Sequence, residues 1–474
     1  KTTPQKQLNG RSHHITQASI LGGGSSINGM VYMRGRPSDY DEWSDSTKEK
    51  NWSYQSMLPY FKLVEDNNRL FDENHGIGGD LKVSDSKDTC ELTKIYVKTM
   101  QAMGHPYNPD FNSGNQRGVG YMQFTIDQGV RCNATKAFLS NNKFKKFLTI
   151  STKSKATKII FKNDKAIGVE FYKNKIKNTV FANNEIILTA GSFNSPKLLM
   201  LSGIGNEEEL KKHSIEKVFI SEGVGQNLQD HHEVSVISKT KPGYGYFGQD
   251  KGLKMLKNIF QYLLFKEGPA ATIGCDGCTF LNPDKTIKDY TEEPSIKLYC
   301  VPKVQLDKNV KDIGQFEGIT LNSVLMRPKS RGEIKLKSSD PYDMPLLNPN
   351  YLNHEDDKRL QISAFKYSRE ILNTKPLNDI VINEVFPGEK VKTDEDILNH
   401  CKKSIKTNWH PVGTCKMGTY EDINAVCDTN LRVKGVRGLR IFDASSFPNL
   451  VAGNTNAPVI AFALKAVTEL INEY

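Results

Sequence analysis

The sequence predicts an α/β unit joined to a second unit in which helices and strands mix as α+β. Three observations support this prediction. Strands alternate with helices near both ends of the chain, the middle mixes them less regularly, and 474 residues suffice for about two or three compact units. With 37% hydrophobic and 25% charged residues, the composition is that of an ordinary globular protein with a large core.

Individual elements have their own signals. Residues 147–170 predict two strands on either side of a Lys-Asn-Asp-Lys turn. Residues 185–189, 234–238 and 439–442 predict further strands. Residues 251–265 carry apolar side chains at helical spacing, and residues 359–372 and 458–471 are also predicted helices.

Charge and composition exclude several function classes. The net charge of +10 comes mostly from scattered lysines, which is typical of a solvated surface, and no nucleic-acid-binding motif accompanies them. The sequence contains no run of 18 apolar residues, so no membrane-spanning helix is predicted. Eight cysteines are too sparse for a disulfide scaffold. Two glycosylation sequons, at Asn51 and Asn133, slightly favour an extracellular location.

Residues 186–205 predict a buried strand, a glycine turn and a helix. Ser195 suits the N-cap, Pro196 the first helical position and Gly203 the residue that ends the helix. Gly191 lets the backbone approach a ligand closely. A helix N-terminus after a strand is an anion or cofactor site in one interpretation, and a plain strand–helix connection in the other.

A second glycine-rich segment covers residues 21–30. Consecutive small residues such as Gly22 and Gly23 leave backbone N–H groups free to surround an anion, and Asn28 adds a side-chain donor. The alternative is a flexible linker. Against that alternative, the segment continues into Val-Tyr-Met-Arg, which is not a linker composition.

His410 is a candidate general base. It lies between Trp409 and Pro411, which predicts a stiff turn that holds the ring in place. An imidazole titrates near pH ~6.5 and therefore accepts a proton at neutral pH. Taken alone, such a histidine is more often structural.

The C-terminal part holds two more candidates. Asp443 follows a predicted strand, where its carboxylate can bind cofactor hydroxyls. Asn456 opens the last predicted helix, where its amide either caps the helix or binds a substrate oxygen.

Together, these segments resemble the glucose–methanol–choline (GMC) family of FAD-dependent oxidoreductases. Residues 191–205 fit the second family signature at every constrained position, and residues 18–28 fit the first except at Ser19. Residues 224–231 and 327–332 match two further family motifs. The resemblance runs over essentially the whole chain, and residues 39–43 and 453–458 resemble the insect branch that includes glucose dehydrogenases.

The resemblance implies an α/β FAD-binding domain and a substrate-binding domain with an antiparallel sheet. It implies oxidation of a CH–OH group in an alcohol or sugar, with oxygen or a quinone as electron acceptor. His410 would remove the hydroxyl proton while a hydride passes to flavin N5, and Asn456 would hold the same oxygen. The cofactor-binding residues that the resemblance implies are Gly22, Gly23, Ser25, Asn28, Gly29, Met30, Thr157, Ala190, Gly191, Asp443, Ala444, Asn454 and Thr455.

We expect three regions along the chain. Residues 1–231 would be mostly FAD-binding, residues 232–326 a segment of the substrate domain, and residues 327–474 a C-terminal region that returns to the FAD domain near residue 430. The family's N-terminal Gly-x-Gly-x-x-Gly unit and its ribose-binding acidic residue do not precede these motifs. We therefore expect an N-terminally truncated, incomplete Rossmann-like domain whose hold on FAD is weakened. The alternatives to an active oxidoreductase are a lyase-type or non-catalytic flavoprotein, or an inactive truncated product.

Three other patterns suggest different chemistry. The Gly-x-Gly-x-x-Gly at residues 243–248 is more typical of a substrate-domain loop than of a dinucleotide site, because bulky residues stand where a helix would start. His231 and His232 are adjacent, so their side chains diverge and a shared metal is not expected. Cys275 and Cys278 form a lone CxxC with no second pair, which is weak evidence for zinc. No metal site is predicted.

Overall fold

The computed structural model describes residues 1–140, 145–284, 292–306 and 313–474. Its α-helices are α1 Pro37–Thr47, α2 Tyr54–Val64, α3 Glu91–Ala102, α4 Gly191–Leu201, α5 Glu207–Lys212, α6 Gly252–Phe265, α7 Glu355–Leu372, α8 Asp394–Ser404 and α9 Asn456–Glu473. Its strands are β1 Val31–Tyr32, β2 Glu65–Asn67, β3 Leu81–Asp85, β4 Gly118–Tyr121, β5 Gln123–Phe124, β6 Ile126–Asp127, β7 Val130–Arg131, β8 Ser154–Lys162, β9 Lys165–Lys173, β10 Ile176–Phe181, β11 Ile186–Leu188, β12 Ile204–Gly205, β13 Phe219–Ile220, β14 His232–Thr240, β15 Gly277–Leu281, β16 Ile296–Val301, β17 Gly318–Leu325, β18 Glu333–Lys335, β19 Leu346–Asn348, β20 Val381–Phe386, β21 Lys406–Thr407 and β22 Leu439–Ile441.

The predicted elements are present with small shifts in their ends. The pair of strands expected within residues 147–170 is β8 and β9, joined at the predicted turn, and β10 extends them into a three-stranded antiparallel sheet. The other predicted strands are β11, β14 and β22, and the predicted helices are α6, α7 and α9. The two fold classes expected from the sequence are confirmed.

The α+β unit is built on a seven-stranded antiparallel sheet, in the order β20-β14-β17-β16-β15-β4, with β21 paired to β14. Side chains alternate between its two faces. On β16, Leu298 packs into the core on the side of α7, whereas Tyr299 packs into a separate cluster with Met33 and Ala452. Because successive residues of a strand face opposite ways, Lys297 and Tyr299 share the second face, toward the site described below.

The α/β unit brings the two ends of the chain together. Strands β11 and β22 pair in parallel, and α9 packs against α2. Trp43, Trp52, Phe447 and Phe462 stack within this core with ring centroids 4.5–6.1 Å apart. The last 40 residues therefore belong physically with the first third of the chain.

Helix α4 starts one turn earlier than predicted, at Gly191 rather than after Ser195. Pro196 therefore lies inside the helix, where it has no N–H to donate to the Ser192 carbonyl four residues earlier. Thr414 donates its hydroxyl to that carbonyl at 2.6 Å, so the missing helical bond is replaced. The predicted end is confirmed, since Gly203 follows the C-cap with φ +88°.

The Gly-x-Gly-x-x-Gly at residues 243–248 lies in a loop between β14 and α6. Strand β14 belongs to the antiparallel sheet, so the motif lacks the parallel strand–turn–helix context of a dinucleotide site. The motif is therefore a loop of the unit that contains the antiparallel sheet.

Helix α6 forms where its apolar spacing predicts it, but that apolar face is exposed. Leu253 is 85% exposed and Leu264 is 70% exposed, whereas Asn258 is buried. Within the described parts of the chain, no helix combines the length and apolar character needed to cross a bilayer.

Candidate active site

His410 stands on a turn that directly follows β21. Trp409 takes a left-handed conformation, with φ +59°, and its N–H donates to the Thr407 hydroxyl at 2.8 Å. The N–H of His410 donates to the buried carboxylate of Asp230 at 2.8 Å, and the Thr407 hydroxyl donates to the same carboxylate at 2.6 Å. Asp230 therefore anchors the backbone of the turn.

Both ring nitrogens of His410 have partners. Nδ1 lies 2.9 Å from Nδ1 of His231, and Nε2 lies 3.1 Å from the side-chain nitrogen of Asn454. His231 in turn places its Nε2 at 2.9 Å from the backbone carbonyl of Met326. Four groups from distant parts of the chain thus form one hydrogen-bonded series.

The Met326 carbonyl at one end of this series sets the direction of every hydrogen bond in it. The Met326 carbonyl can only accept, so Nε2 of His231 carries a hydrogen. A neutral His231 then has an unprotonated Nδ1, which accepts from Nδ1–H of His410. A neutral His410 consequently presents a lone pair at Nε2, toward Asn454.

The carboxamide of Asn454 is oriented by two further donors. Nζ of the buried Lys297 donates to its oxygen at 3.1 Å, and the Tyr299 hydroxyl donates to the same oxygen at 3.2 Å. With the oxygen occupied in this way, the amide N–H₂ faces His410. Lys297 is only 1% exposed, and its Nζ lies 4.3 Å from the centroid of the Tyr299 ring.

Asn454, rather than Asn456, therefore reaches His410. Asn456 is the first residue of α9, one position after the N-cap Thr455. The expectation that Asn456 pairs with His410 was wrong by two residues, because the chain turns into the helix before Asn456 and leaves Asn454 on the loop that faces β16.

Electrostatics keep the two histidines neutral. Burial is the main cause that lowers the pKa of His410 well below its ordinary value, and the neighbouring His231 and Lys297 lower it further. Burial also lowers the pKa of His231 to about 3. The pKa of Lys297 falls to about 8, again chiefly through burial, so this lysine is largely charged at pH 7. At neutral pH the site holds a cation beside two uncharged imidazoles.

The glycine-rich loop is more closed than the sequence predicts. The N–H groups of Gly23, Ser25 and Asn28 donate to the carbonyls of Ile20, Gly22 and Gly24, and the loop forms a 3-10 turn over Gly23–Ser26. The Asn28 side chain accepts from Met30 N at 3.0 Å and from Arg131 at 2.7 Å. The expected open ring of N–H donors was wrong, since most of them are already used.

The remaining residues of this loop are also held by their neighbours. The Ser25 hydroxyl donates to the Gly22 carbonyl at 2.6 Å and accepts from Ala134 N at 2.9 Å. Met30 has φ +59°, and the preceding Gly29 leaves a site where an added Cβ would lie 3.9 Å from Ile273.

Asp443 is a positioning residue in this structure. One carboxylate oxygen accepts from Gly191 N at 2.9 Å and from the Ser195 hydroxyl at 2.5 Å, and the other accepts from Ser445 N at 2.8 Å. The carboxylate thus ties the start of α4 to the turn at Ala444–Ser446. Both of its oxygens serve the protein itself, which differs from the expectation that they bind cofactor hydroxyls.

Of the other predicted residues, Ala190 is the N-cap of α4, and its N–H donates to Ser195. The Ala444 carbonyl accepts from Gly413 N at 3.0 Å, next to the His410 turn. Thr157 lies on β8, where its hydroxyl bonds Glu170 of β9 at 3.1 Å.

Two residues of the site escaped the sequence analysis as site residues, namely His231 and Lys297. The adjacent His231 and His232 diverge as expected, since His231 faces His410 while His232 packs 5.3 Å from the Tyr351 ring. A lysine within a buried, otherwise apolar strand was the one available signal for Lys297, because such a charge requires a partner.

The family is decided by comparison with known proteins. The model of the N-terminal part of GMC oxidoreductases matches residues 4–233, and the model of the C-terminal part matches residues 328–463. The chain belongs to the GMC oxidoreductase family. It is an FAD-dependent oxidoreductase that acts on CH–OH donors.

Relatives of this GMC oxidoreductase include an alcohol dehydrogenase (acceptor) of Pseudomonas putida, 36% identical over all of this chain and 85% of that protein. An oxygen-dependent choline dehydrogenase of Brucella anthropi is 37% identical over 99% of this chain and 84% of that protein. Among solved structures, pyridoxine 4-oxidase from Mesorbium loti superposes with a TM-score of 0.89 at 27% identity, covering all of this chain and 88% of that one.

Three glycines on the two glycine turns of the GMC oxidoreductase border open space. A Cβ atom added at Gly23, Gly24 or Gly191 would meet nothing within 4 Å, so the backbone at all three positions borders open space. Gly191 has φ +81°, a conformation that glycine adopts freely. The backbone of the two glycine turns is therefore accessible to a ligand such as FAD.

Proposed function

We propose that this GMC oxidoreductase oxidises a small, uncharged alcohol, with His410 as the general base and Asn454 as the group that holds the alcohol oxygen. The hydrogen-bonded series from Met326 through His231 carries the proposal. It leaves the lone pair of His410 Nε2 beside the N–H₂ of Asn454, 3.1 Å away. A hydroxyl that lies beside both atoms and replaces their mutual hydrogen bond has one acceptor for its proton and one donor for its oxygen.

Oxidation of the alcohol removes a proton from oxygen and a hydride from carbon, and leaves a carbonyl. His410 takes the proton at Nε2, and the resulting imidazolium keeps its Nδ1–H bond to His231. Asn454 donates to the oxygen while negative charge builds up on it. FAD supplies the acceptor for the hydride when it is bound.

We infer that FAD is held by the two glycine turns and the start of α9. The residues we assign to it are Gly22, Gly23, Ser25, Asn28, Gly29 and Met30 in the first turn, Ala190 and Gly191 in the second, and Ala444 and Thr455 near the C-terminus. The open space at Gly23 and Gly191 supports this assignment, because a side chain there would fill the cradle. Asp443 contributes by holding Gly191 in place.

The charge of Lys297 leads us to propose an uncharged substrate. The Lys297 ammonium group donates to the carboxamide of Asn454, which contacts His410. The positive charge of Lys297 also lowers the pKa of His410. In a buried site with a low effective dielectric, a second cation close to this one is strongly disfavoured. A quaternary ammonium alcohol such as choline would place a second positive charge near Lys297 and would be repelled by it.

A matched pair of substrates tests the charge preference. Choline and 3,3-dimethylbutan-1-ol have nearly the same shape and differ by one positive charge. We expect kcat/KM to be at least about tenfold higher for the neutral alcohol, which corresponds to ~1.4 kcal/mol. In the Lys297→Met variant, the ratio of kcat/KM for the neutral alcohol to kcat/KM for choline should be smaller. Equal rates, or faster oxidation of choline, would refute the proposed substrate charge while leaving the roles of His410 and Asn454 intact.

Two asparagines in one motif test the proposed base and its partner. Asn454→Ala removes the donor beside His410 Nε2, and we expect a loss of about 10²–10³ in the rate of alcohol oxidation. Asn456→Ala is the matched control two residues away, and it should lower activity far less. The assignment fails if the two variants are equally impaired, or if Asn456→Ala is the worse one.

Oxygen or a quinone is our proposal for the electron acceptor. Turnover with the preferred alcohol should be followed as oxygen consumption and, separately, as reduction of a soluble quinone. Activity that needs the quinone and consumes no oxygen identifies a dehydrogenase, and oxygen consumption alone identifies an oxidase. Turnover with neither acceptor would contradict this part of the proposal.

A further inference from the structure

The apolar face of helix α6 is exposed to solvent instead of packing on the core. Its most exposed apolar residues are Leu253 at 85%, Leu264 at 70%, Phe265 at 64%, Phe260 at 62%, Leu263 at 61% and Leu256 at 49%. With 100° of rotation per residue, all of these side chains except Phe265 fall on one outward arc of the helix. An amphipathic helix on a globular protein normally turns this face toward the core.

Polar contacts attach the opposite side of α6 to the rest of the molecule. Asn258 is buried and donates to the Gln249 carbonyl at 2.8 Å. The Tyr262 hydroxyl donates to the carbonyl of Gly129 at 3.3 Å, in the turn between β6 and β7. Asn258 thus joins α6 to the segment just before it and Tyr262 joins it to the β6–β7 turn, so the polar side of the helix faces the protein and the apolar arc faces outward.

The charged residues around the arc are basic. Lys254 and Lys257 are exposed on the helix itself, and Lys251 and Lys266 lie at its two ends. Residues 252–265 contain no Asp or Glu. Along the chain, the acidic residues next to the helix are Asp250 and Glu267, which lie beyond its two ends, and the Glu267 carboxylate is 3.9 Å from Nζ of Lys87.

We propose that α6 docks this protein on an anionic lipid bilayer, with the helix lying in the plane of the interface. An apolar arc with lysines at its edge is the pattern of a helix that lies in the headgroup region, and each lysine near an anionic surface adds to the attraction. The 14 residues of α6 are too short to cross a hydrocarbon core of ~30 Å. A second copy of this chain is a poorer occupant, since it would bring two sets of like-charged lysines together.

Vesicle binding tests the proposal. The purified protein is mixed with vesicles of phosphatidylcholine alone or of phosphatidylcholine with 30% phosphatidylglycerol, and the bound fraction is measured by co-sedimentation. We expect binding to the anionic vesicles at low salt, at least about tenfold weaker binding to neutral ones, and weakening at high salt.

Two variants assign the binding to α6. Phe260→Asp/Leu264→Asp removes apolar contact, and Lys254→Glu/Lys257→Glu reverses the charge, so both should lower vesicle affinity at least about tenfold. The matched control is Ile176→Asp/Phe181→Asp on β10, where the replaced side chains are 66% and 67% exposed. Thermal melting of all variants checks that each remains folded.

Three results would overturn the proposal. The first is equal binding by the wild type and both α6 variants, and the second is equal affinity for neutral and anionic vesicles. The third is a concentration-dependent dimer, seen by light scattering, that the α6 substitutions abolish in a protein that binds no vesicles. That outcome would assign the arc to a second copy of the chain.

Discussion

Two buried histidines of this GMC oxidoreductase have opposite pKa shifts. His410 faces His231 and, through Asn454, Lys297. His75 lies between two carboxylates, with Nδ1 at 2.9 Å from Glu65 and Nε2 at 3.0 Å from Asp110. Burial opposes the charged form at both sites. At His75 the hydrogen bonds of Asp110 and Glu65 outweigh it and raise the pKa to about 9, whereas at His410 the neighbours add to the lowering.

The difference shows that neighbouring charges, and not burial alone, assign the roles. His75 is a cation that links Glu65 to Asp110, and Glu65 also forms an ion pair with the buried Arg34. Such a histidine has no lone pair to offer and serves the structure. His410 is uncharged at neutral pH and keeps a lone pair, which is what a base requires.

Among the substitutions that test this difference between the two histidines, removal of the His410 imidazole should have the largest effect. We expect His410→Ala to lower the rate of alcohol oxidation by about 10²–10⁴ while the protein still binds FAD. The measurement is the rate of flavin bleaching on anaerobic mixing with alcohol, together with the flavin absorbance of the purified protein. An unchanged bleaching rate would show that His410 is not the base.

Breaking the His75 cluster should affect stability instead of chemistry. Glu65→Gln leaves the buried Arg34 without its carboxylate, and His75 keeps only Asp110, so we expect a loss of about 3–5 kcal/mol in the free energy of unfolding. Chemical denaturation gives the value, and the rate per folded molecule should change little. Asp66→Asn, which removes a partly exposed ion pair with Lys82, is the control and should cost less than about 1 kcal/mol. Similar losses in both variants would argue against a tightly coupled buried cluster.

Substitutions at His231 test whether it sets the tautomer of His410. His231→Ala removes the acceptor of the His410 Nδ1–H, and we expect the rate to fall about 10–100-fold, the size of one hydrogen bond to a charged group. His231→Asn, which can still accept and donate, should recover part of the loss. A purely structural role would lower the melting temperature of His231→Ala without altering the pH profile of kcat/KM.

The smallest predicted effect concerns the pH profile. The base works in its unprotonated form, so kcat/KM falls when the pH drops below the pKa of His410. Lys297→Met removes a positive charge that lowers this pKa, so the fall should move to higher pH. Lys297→Arg keeps the charge and should keep the wild-type profile. A shift toward lower pH, or an equal shift in both variants, would show that the charge of Lys297 does not act on His410.

Local patterns were sufficient for much of the fold and for His410 itself. The spacing of apolar residues predicted α6, α7 and α9, and the family motifs located the two glycine turns and the histidine turn. The sequence analysis missed the start of α4 because the acceptor for Gly191 N is the carboxylate of Asp443, a residue just after β22. No local sequence pattern reveals this contact. The outward direction of the α6 arc was missed because periodicity defines an apolar face and not the side on which the core lies.

The partners of His410 could not be read from the sequence. His231 lies 179 residues from His410, and Lys297 lies 157 residues from Asn454. Two asparagines stand within three residues of the same motif, and only the start of α9 and the donors on β16 select Asn454 over Asn456.

The sequence by itself determined several of the helices and strands, the family and an imidazole capable of accepting a proton. The tertiary structure alone decided which nitrogen of that imidazole holds the lone pair and which carboxamide faces it. The physical reason is that a tautomer depends on the donors and acceptors around the ring. Here these come from a carbonyl, a second histidine and a lysine that only folding brings together.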